Sequence, residues 1–179
     1  HPKEIAVEAG YAYEVIKNFS VSATFKYLFS DMGRIGNSRG ASSVAFDLGV
    51  LYKCEINDWE GAGWSVGLHV SNLGPKINYL TSKDALPATV KVGGAADLPF
   101  LQMHKLTLTA DLGYRLSPAD VQALSVSAGA EYAWRELVML RGGYHCGDKK
   151  KGDASYATAG AGVEYAGVRL DFAWLFAGH

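Results

Sequence analysis

No apolar run in this chain approaches the roughly 18 residues that a membrane-crossing helix needs, which excludes a transmembrane helix. An excess of one charge sign is missing too: 17 basic and 18 acidic residues leave a net charge of −1. A nucleic-acid surface needs a basic excess or a basic stripe, and neither is present, so no nucleic-acid partner is expected. Cysteine is limited to Cys54 and Cys146. The densest cluster of potential metal ligands is His145-Cys146-Gly147-Asp148, and one His with one Cys falls short of the converging donors a metal needs. A glycine loop of the phosphate-binding kind is absent, and no Ser stands at a telling spacing from a His, which leaves open only a triad assembled in space. No catalytic residue, cofactor or metal is therefore expected, and the chain is expected not to be an enzyme.

Proline is sparse, at 5, while glycine is abundant, at 21, a balance that suits many strands joined by tight turns. What fills the chain is an alternation of apolar with polar or small residues, repeated ten times. The clearest repeat is the last, with Val168, Leu170, Phe172, Trp174 and Phe176 on one side and Arg169, Asp171, Ala173 and Leu175 on the other. A period of two marks a β-strand with two unlike faces. Strands of soluble domains mostly run to about five or six residues. The repeats here are longer, and about nine to eleven tilted residues are what a strand needs to cross a bilayer. The expected fold is all-β, an antiparallel transmembrane β-barrel treated as one domain over residues 1–179.

The strands expected include one from Glu4 to Ile16, one from Thr89 to Leu98 and one from Leu137 to His145. Tight turns are expected at Lys17-Asn18, Arg135-Glu136 and Ala166-Gly167, and longer loops at Asp31 to Ala41, Leu73 to Ala88 and Gly147 to Asp153. Short and long connections thus alternate, as they do between the two rims of an outer-membrane barrel. That pattern sends the first strand inward from the exterior and places both chain ends outside, so the chain is expected to be part of a longer barrel. It begins without a secretory leader and ends without a terminal aromatic residue. It also sets Cys54 and Cys146 at opposite rims, too far apart for a disulfide.

An antiparallel sandwich or a lipocalin-like barrel also alternates. There the oily face must fill a core. Here the oily faces are rich in Tyr, Trp and Phe, and the opposite faces carry Gly, Ser, Thr and charge, an arrangement suited to lipid outside. The inward set includes Glu4, Glu8, Glu14, Lys26, Asp47, Lys53, His69, Lys91, Asp97, Lys105, Asp111, Glu131, Arg141, Glu164, Arg169 and Asp171. Mixed signs favour a filled or structural lumen over a selective pore.

One stretch is more specific. Ser71-Asn72-Leu73-Gly74-Pro75-Lys76-Ile77-Asn78-Tyr79, followed by Ala85-Leu86-Pro87-Ala88-Thr89-Val90-Lys91-Val92-Gly93, resembles the PorV/PorQ family, PorV being the nearer. The segments Phe25-Lys26-Tyr27-Leu28-Phe29-Ser30-Asp31 and Ala45-Phe46-Asp47-Leu48-Gly49-Val50-Leu51-Tyr52 are similar to strands of that family. The resemblance covers much of residues 5 to 115. It implies a FadL-like barrel of about fourteen strands in the outer membrane of Bacteroidetes-type bacteria, with the N-terminal strands and the last strand lying beyond this chain. It further implies a non-enzymatic part of the type IX secretion system, with three kinds of protein partner: the translocon, the surface attachment complex and the C-terminal signal domains of cargo. A FadL-like channel for hydrophobic small molecules is the alternative. For the partner surface, the outer loop offers Pro75, Lys76, Ile77, Asn78, Tyr79, Leu80, Leu86 and Pro87, a mix of apolar and charged groups suited to a protein contact. Asn72, Gly74 and Pro75 equally read as residues that only shape the turn.

Overall fold

The computed structural model describes residues 3–31, 41–78 and 83–177. Its strands are β1 (Lys3–Ile16), β2 (Phe19–Asp31), β3 (Ala41–Glu55), β4 (Gly63–Leu73), β5 (Ile77–Asn78), β6 (Lys83–Asp84), β7 (Thr89–Phe100), β8 (His104–Arg115), β9 (Leu124–Trp134), β10 (Val138–Cys146), β11 (Tyr156–Tyr165) and β12 (Val168–Ala177). Two single 3₁₀ turns, Ala119–Val121 and Lys149–Lys151, lie in loops. Among the described residues no helix is long and apolar enough to cross a membrane, which says nothing of strands.

Ten of the strands form one antiparallel sheet in the order β1-β2-β3-β4-β7-β8-β9-β10-β11-β12. Each sheet strand therefore lies beside its neighbour in the chain, as expected when short turns join long strands. Sheet strands run from 9 residues in β10 to 15 in β3, within the expected range or above it. The pair β5 and β6 is separate, with Ile77 opposite Asp84 and Asn78 opposite Lys83. Here the structure departs from the sequence reading, which took Leu73 to Ala88 as irregular throughout; two residues a side are too few for periodicity to register.

The short connections turn as type I′ hairpins do, with successive residues of positive φ: Leu101 and Gln102, Arg135 and Glu136, Ala166 and Gly167. That backbone twist matches the twist of the flanking strands. In the first hairpin Asn18 holds φ at 73° and its N–H donates to Glu14 Oε1 at 2.8 Å.

The chain divides into two compact units, one of His1–Leu51, Leu68–Lys91 and Tyr114–Gln122, the other of Tyr52–Gly67, Val92–Gly113 and Ala123–His179. Both show the same inversion of the soluble pattern. In the first, Phe25, Tyr27, Phe46 and Leu48 are exposed, while Ser43 and Asp47 are buried. In the second, Leu124, Val126, Ala128 and Ala130 of β9 are exposed, with Ser125, Ser127, Gly129 and Glu131 half-buried between them. The buried apolar residues described are Ala41, Ala45, Ala62, Leu86, Ala123, Ala133 and Met139, and among the described residues no large side chain is fully buried. Phe172 and Trp174 stand 62% and 64% exposed. An oily interior is not what organises these strands.

Candidate functional site: an anchored loop after β4

The loop between β4 and β7 is seated on β3. Ala41, Ser43, Ala45 and Asp47 alternate along β3 and are all buried, whereas Phe46 and Leu48 of the intervening row are exposed. The chain leaving β4 lies against that buried row. Ser43 Oγ donates to the Pro75 carbonyl at 3.2 Å. Gly74 comes so close that a Cβ there would meet Leu86 Cδ1 at 2.9 Å, Ala45 Cα at 3.2 Å and the Val44 carbonyl closer still. Only glycine allows that approach.

Asn72 joins the two ends of the loop to the wall. It adopts a left-handed conformation, φ 56°, which asparagine tolerates better than most residues. Its N–H donates to Asp47 Oδ1 at 2.8 Å, and its Oδ1 accepts from Lys26 Nζ at 3.3 Å. Its Nδ2 donates to the Pro87 carbonyl at 3.2 Å, and Thr89 Oγ1 donates to the same carbonyl at 3.2 Å. Beneath it, Lys26 Nζ lies 2.7 Å from Asp47 Oδ2 and 3.9 Å from Glu8 Oε1, and His69 Nε2 lies 3.9 Å from Asp47 Oδ2. At the far end the Ala88 carbonyl accepts from Leu116 N at 2.8 Å and from Ser117 N at 3.3 Å, which ties the next long loop to this one.

The expected partner residues divide accordingly. Pro75, Lys76 and Pro87 are exposed. Ile77 and Asn78 form β5, paired with Lys83 and Asp84. Tyr79 and Leu80 lie outside the described residues. Leu86 is a correction: expected on the outer surface, it is 7% exposed and its Cδ1 lies close beside Gly74. A large apolar side chain next to a glycine fills the space that the missing Cβ leaves, so Leu86 supports the loop from below. The Lys26–Asp47–Asn72 linkage escaped the sequence reading, which had Lys26 and Asp47 as separate lumen residues. Its faint signal is a base and an acid in neighbouring alternating strands, followed at the end of the next strand by an Asn two residues before Gly-Pro.

The second unit carries a different polar array. Arg141 of β10 pairs with Glu131 of β9 and with Asp171 of β12. The second contact passes across β11 at Gly162, where a Cβ would fall 3.4 Å from Arg141 Nη1 and against Asp171 Oδ1. Arg169 Nε donates to Asp171 Oδ2 at 2.8 Å and lies within reach of Glu164. Asp97 accepts from Thr107 Oγ1 at 2.7 Å and lies 3.1 Å from Lys105 Nζ.

The structure also assembles a Ser, a His and an Asp that are scattered in sequence. Ser127 Oγ lies 3.0 Å from His145 Nδ1, His145 Nε2 lies 2.9 Å from Asp153 Oδ1, and the ring stacks on Tyr156 at 4.8 Å. Asp153 belongs to the loop after β10, which Ser155 Oγ also closes by accepting from Gly147 N at 3.2 Å. The three residues clasp that loop to the sheet. Cys54 and Cys146 are both free thiols. Among the described residues no His, Cys, Asp and Glu gather into a metal-binding group.

Among curated proteins none matches this chain. A family model described as type IX secretion system protein PorV matches residues 1–122, a span that holds the anchored loop and the strands beneath it. By that match the chain belongs to the PorV family and is a component of the type IX secretion system.

Proposed function

We propose that this protein is part of an outer-membrane β-barrel that works without catalysis, receiving the C-terminal signal domains of cargo at the translocon and passing them to the surface attachment complex. The outer loop between β4 and β7 is the contact surface, through Pro75, Lys76, Ile77, Asn78, Tyr79, Leu80 and Pro87, with Leu86 as its internal support. Lipid covers the apolar rows.

One observation carries this reading: the loop after β4 is tied at its ends to the polar face of β3 by Ser43, Asp47 and Lys26, with Asn72 reaching across to Pro87. Loop ends that are already held lose little freedom on meeting a partner, which favours affinity. A passage for hydrophobic molecules needs apolar lining, and the polar faces here carry Lys26, Asp47 and His69 in one unit and Glu131, Arg141 and Asp171 in the other.

The test is affinity purification from detergent-solubilised outer membranes, with mass spectrometry of what co-purifies. Wild-type protein is expected to bring down translocon components and secreted cargo. A variant with residues 77–84 replaced by a Gly-Ser linker is expected to assemble and to lose the cargo. Undiminished cargo recovery from that variant would remove the loop from the mechanism.

A further inference from the structure

The loop's direction is set from beneath it. Asp47 is 7% exposed, and its two carboxylate oxygens are divided between two tasks. Oδ2 lies 2.7 Å from the Lys26 ammonium, and Oδ1 accepts from the backbone N–H of Asn72 at 2.8 Å. Lys26 in turn donates to Asn72 Oδ1 at 3.3 Å, so acid and base hold the same residue, one by its backbone and one by its side chain. Asn72 is the point at which β4 departs from extended geometry, φ 56°, and its amide reaches on to Pro87 where the loop returns. A charge-assisted hydrogen bond to a backbone N–H is among the stronger contacts available to a turn. The left-handed conformation costs an L-residue energy unless its surroundings enforce it.

We infer that Asp47, held by Lys26, is a positioning residue for partner binding: it fixes Asn72 in the left-handed conformation from which residues 73–76 leave β4 and Pro87 is held, without touching the partner itself. The inference rests on the reading of that loop as the partner surface. It assigns the wall charges of β2 and β3 a role in specificity, where a lumen cross-link would serve stability alone.

The experiment uses the protein in its own outer membrane and three readouts: heat-modifiable mobility for assembly, trypsin cleavage at the exposed Lys76 for loop order, and cargo co-purification for function. Asp47→Ala is expected to leave mobility unchanged, to speed cleavage at Lys76 by about tenfold and to reduce cargo recovery in proportion. Asp47→Asn keeps an oxygen for the Asn72 N–H but turns its NH2 toward the Lys26 ammonium, and it is expected to restore only part of both. Should Asp47→Ala fail to assemble, Asn72→Ala leaves the Lys26–Asp47 pair in place while removing the amide that spans the loop ends, and the same loosening is expected of it. Unchanged cleavage in the assembled variants would overturn the inference. So would a loosened loop with full cargo recovery, provided that replacing residues 77–84 still abolishes recovery. If that replacement also leaves recovery intact, the loop's function itself is refuted, and with it the inference that rests on it.

Discussion

Two polar clusters, one in each unit, set a basic residue between carboxylates, and they do different things. Around Lys26 the charges are compact, and Asp47 turns one oxygen toward the backbone of a loop. Around Arg141 they are spread over β9 to β12, carboxylate to guanidinium to carboxylate, and they hold strands to strands. The basic residues suit these tasks. Lysine is a point charge that leaves its partner's second oxygen free, whereas the arginine fork can engage two carboxylates in different directions. Glycine serves both, at Gly74 by admitting backbone and at Gly162 by clearing the way to Asp171. A charge on the polar face of such a sheet is thus either a rivet for a loop or a tie between strands, and its second contact tells which.

Both roles presuppose that lipid lies on the other face, and the largest effect tests that. Leu108→Arg, on an exposed apolar row of β8, is expected to destabilise the folded protein in lipid vesicles by about 2–4 kcal/mol, against under about 1 kcal/mol for its polar-face neighbour Thr109→Arg. Urea titration followed by tryptophan fluorescence measures both, and equal costs would break the comparison at its root.

Removing the tie comes next. Arg141→Ala leaves Glu131 and Asp171 without their shared partner and is expected to lower the midpoint of the same titration. Arg141→Lys should recover only part, since one ammonium cannot engage both carboxylates with the fork's geometry. Full recovery would mean that charge alone suffices. Disturbing the rivet is expected to act locally. Gly74→Val forces its side chain against Leu86 and Val44 at a cost of about 1–2 kcal/mol, seen as faster trypsin cleavage at Lys76 with little change in the titration midpoint. A midpoint shift as large as that of Arg141→Ala would erase the distinction between the two clusters. The smallest effect belongs to Lys105→Ala. Its pair with Asp97 is about two-fifths exposed on both sides, so a loss of under about 1 kcal/mol is expected. A larger loss would place Asp97 among the ties.

Much of this architecture was legible in the residue order. The strand expected from Glu4 to Ile16 is Lys3–Ile16, that from Leu137 to His145 is Val138–Cys146, and that from Thr89 to Leu98 extends to Phe100. The turns at Lys17-Asn18, Arg135-Glu136 and Ala166-Gly167 are where they were expected. The loop was less legible. Asn72 and Gly74 could be read as turn formers, but not that their turn rests on Asp47 and Ala45. Leu86 read as a surface anchor among the loop's apolar and charged residues, yet it is buried, with its side chain beside a glycine twelve residues earlier. His145 gave no sign of Ser127 and Asp153, because cross-strand register and loop closure, not spacing along the chain, bring them together.

By itself the chain determined which residues form strands, which face of each is oily and which strand neighbours which. The pleat alternates every residue, and a short turn leaves the next strand nowhere to go but alongside. Only the tertiary structure decided which charge meets which, that Arg141 reaches past β11 to Asp171, and that Leu86 lies under its loop. Those outcomes depend on register and on how closely two backbones approach. Both are set by distant segments, so no local window of sequence contains them.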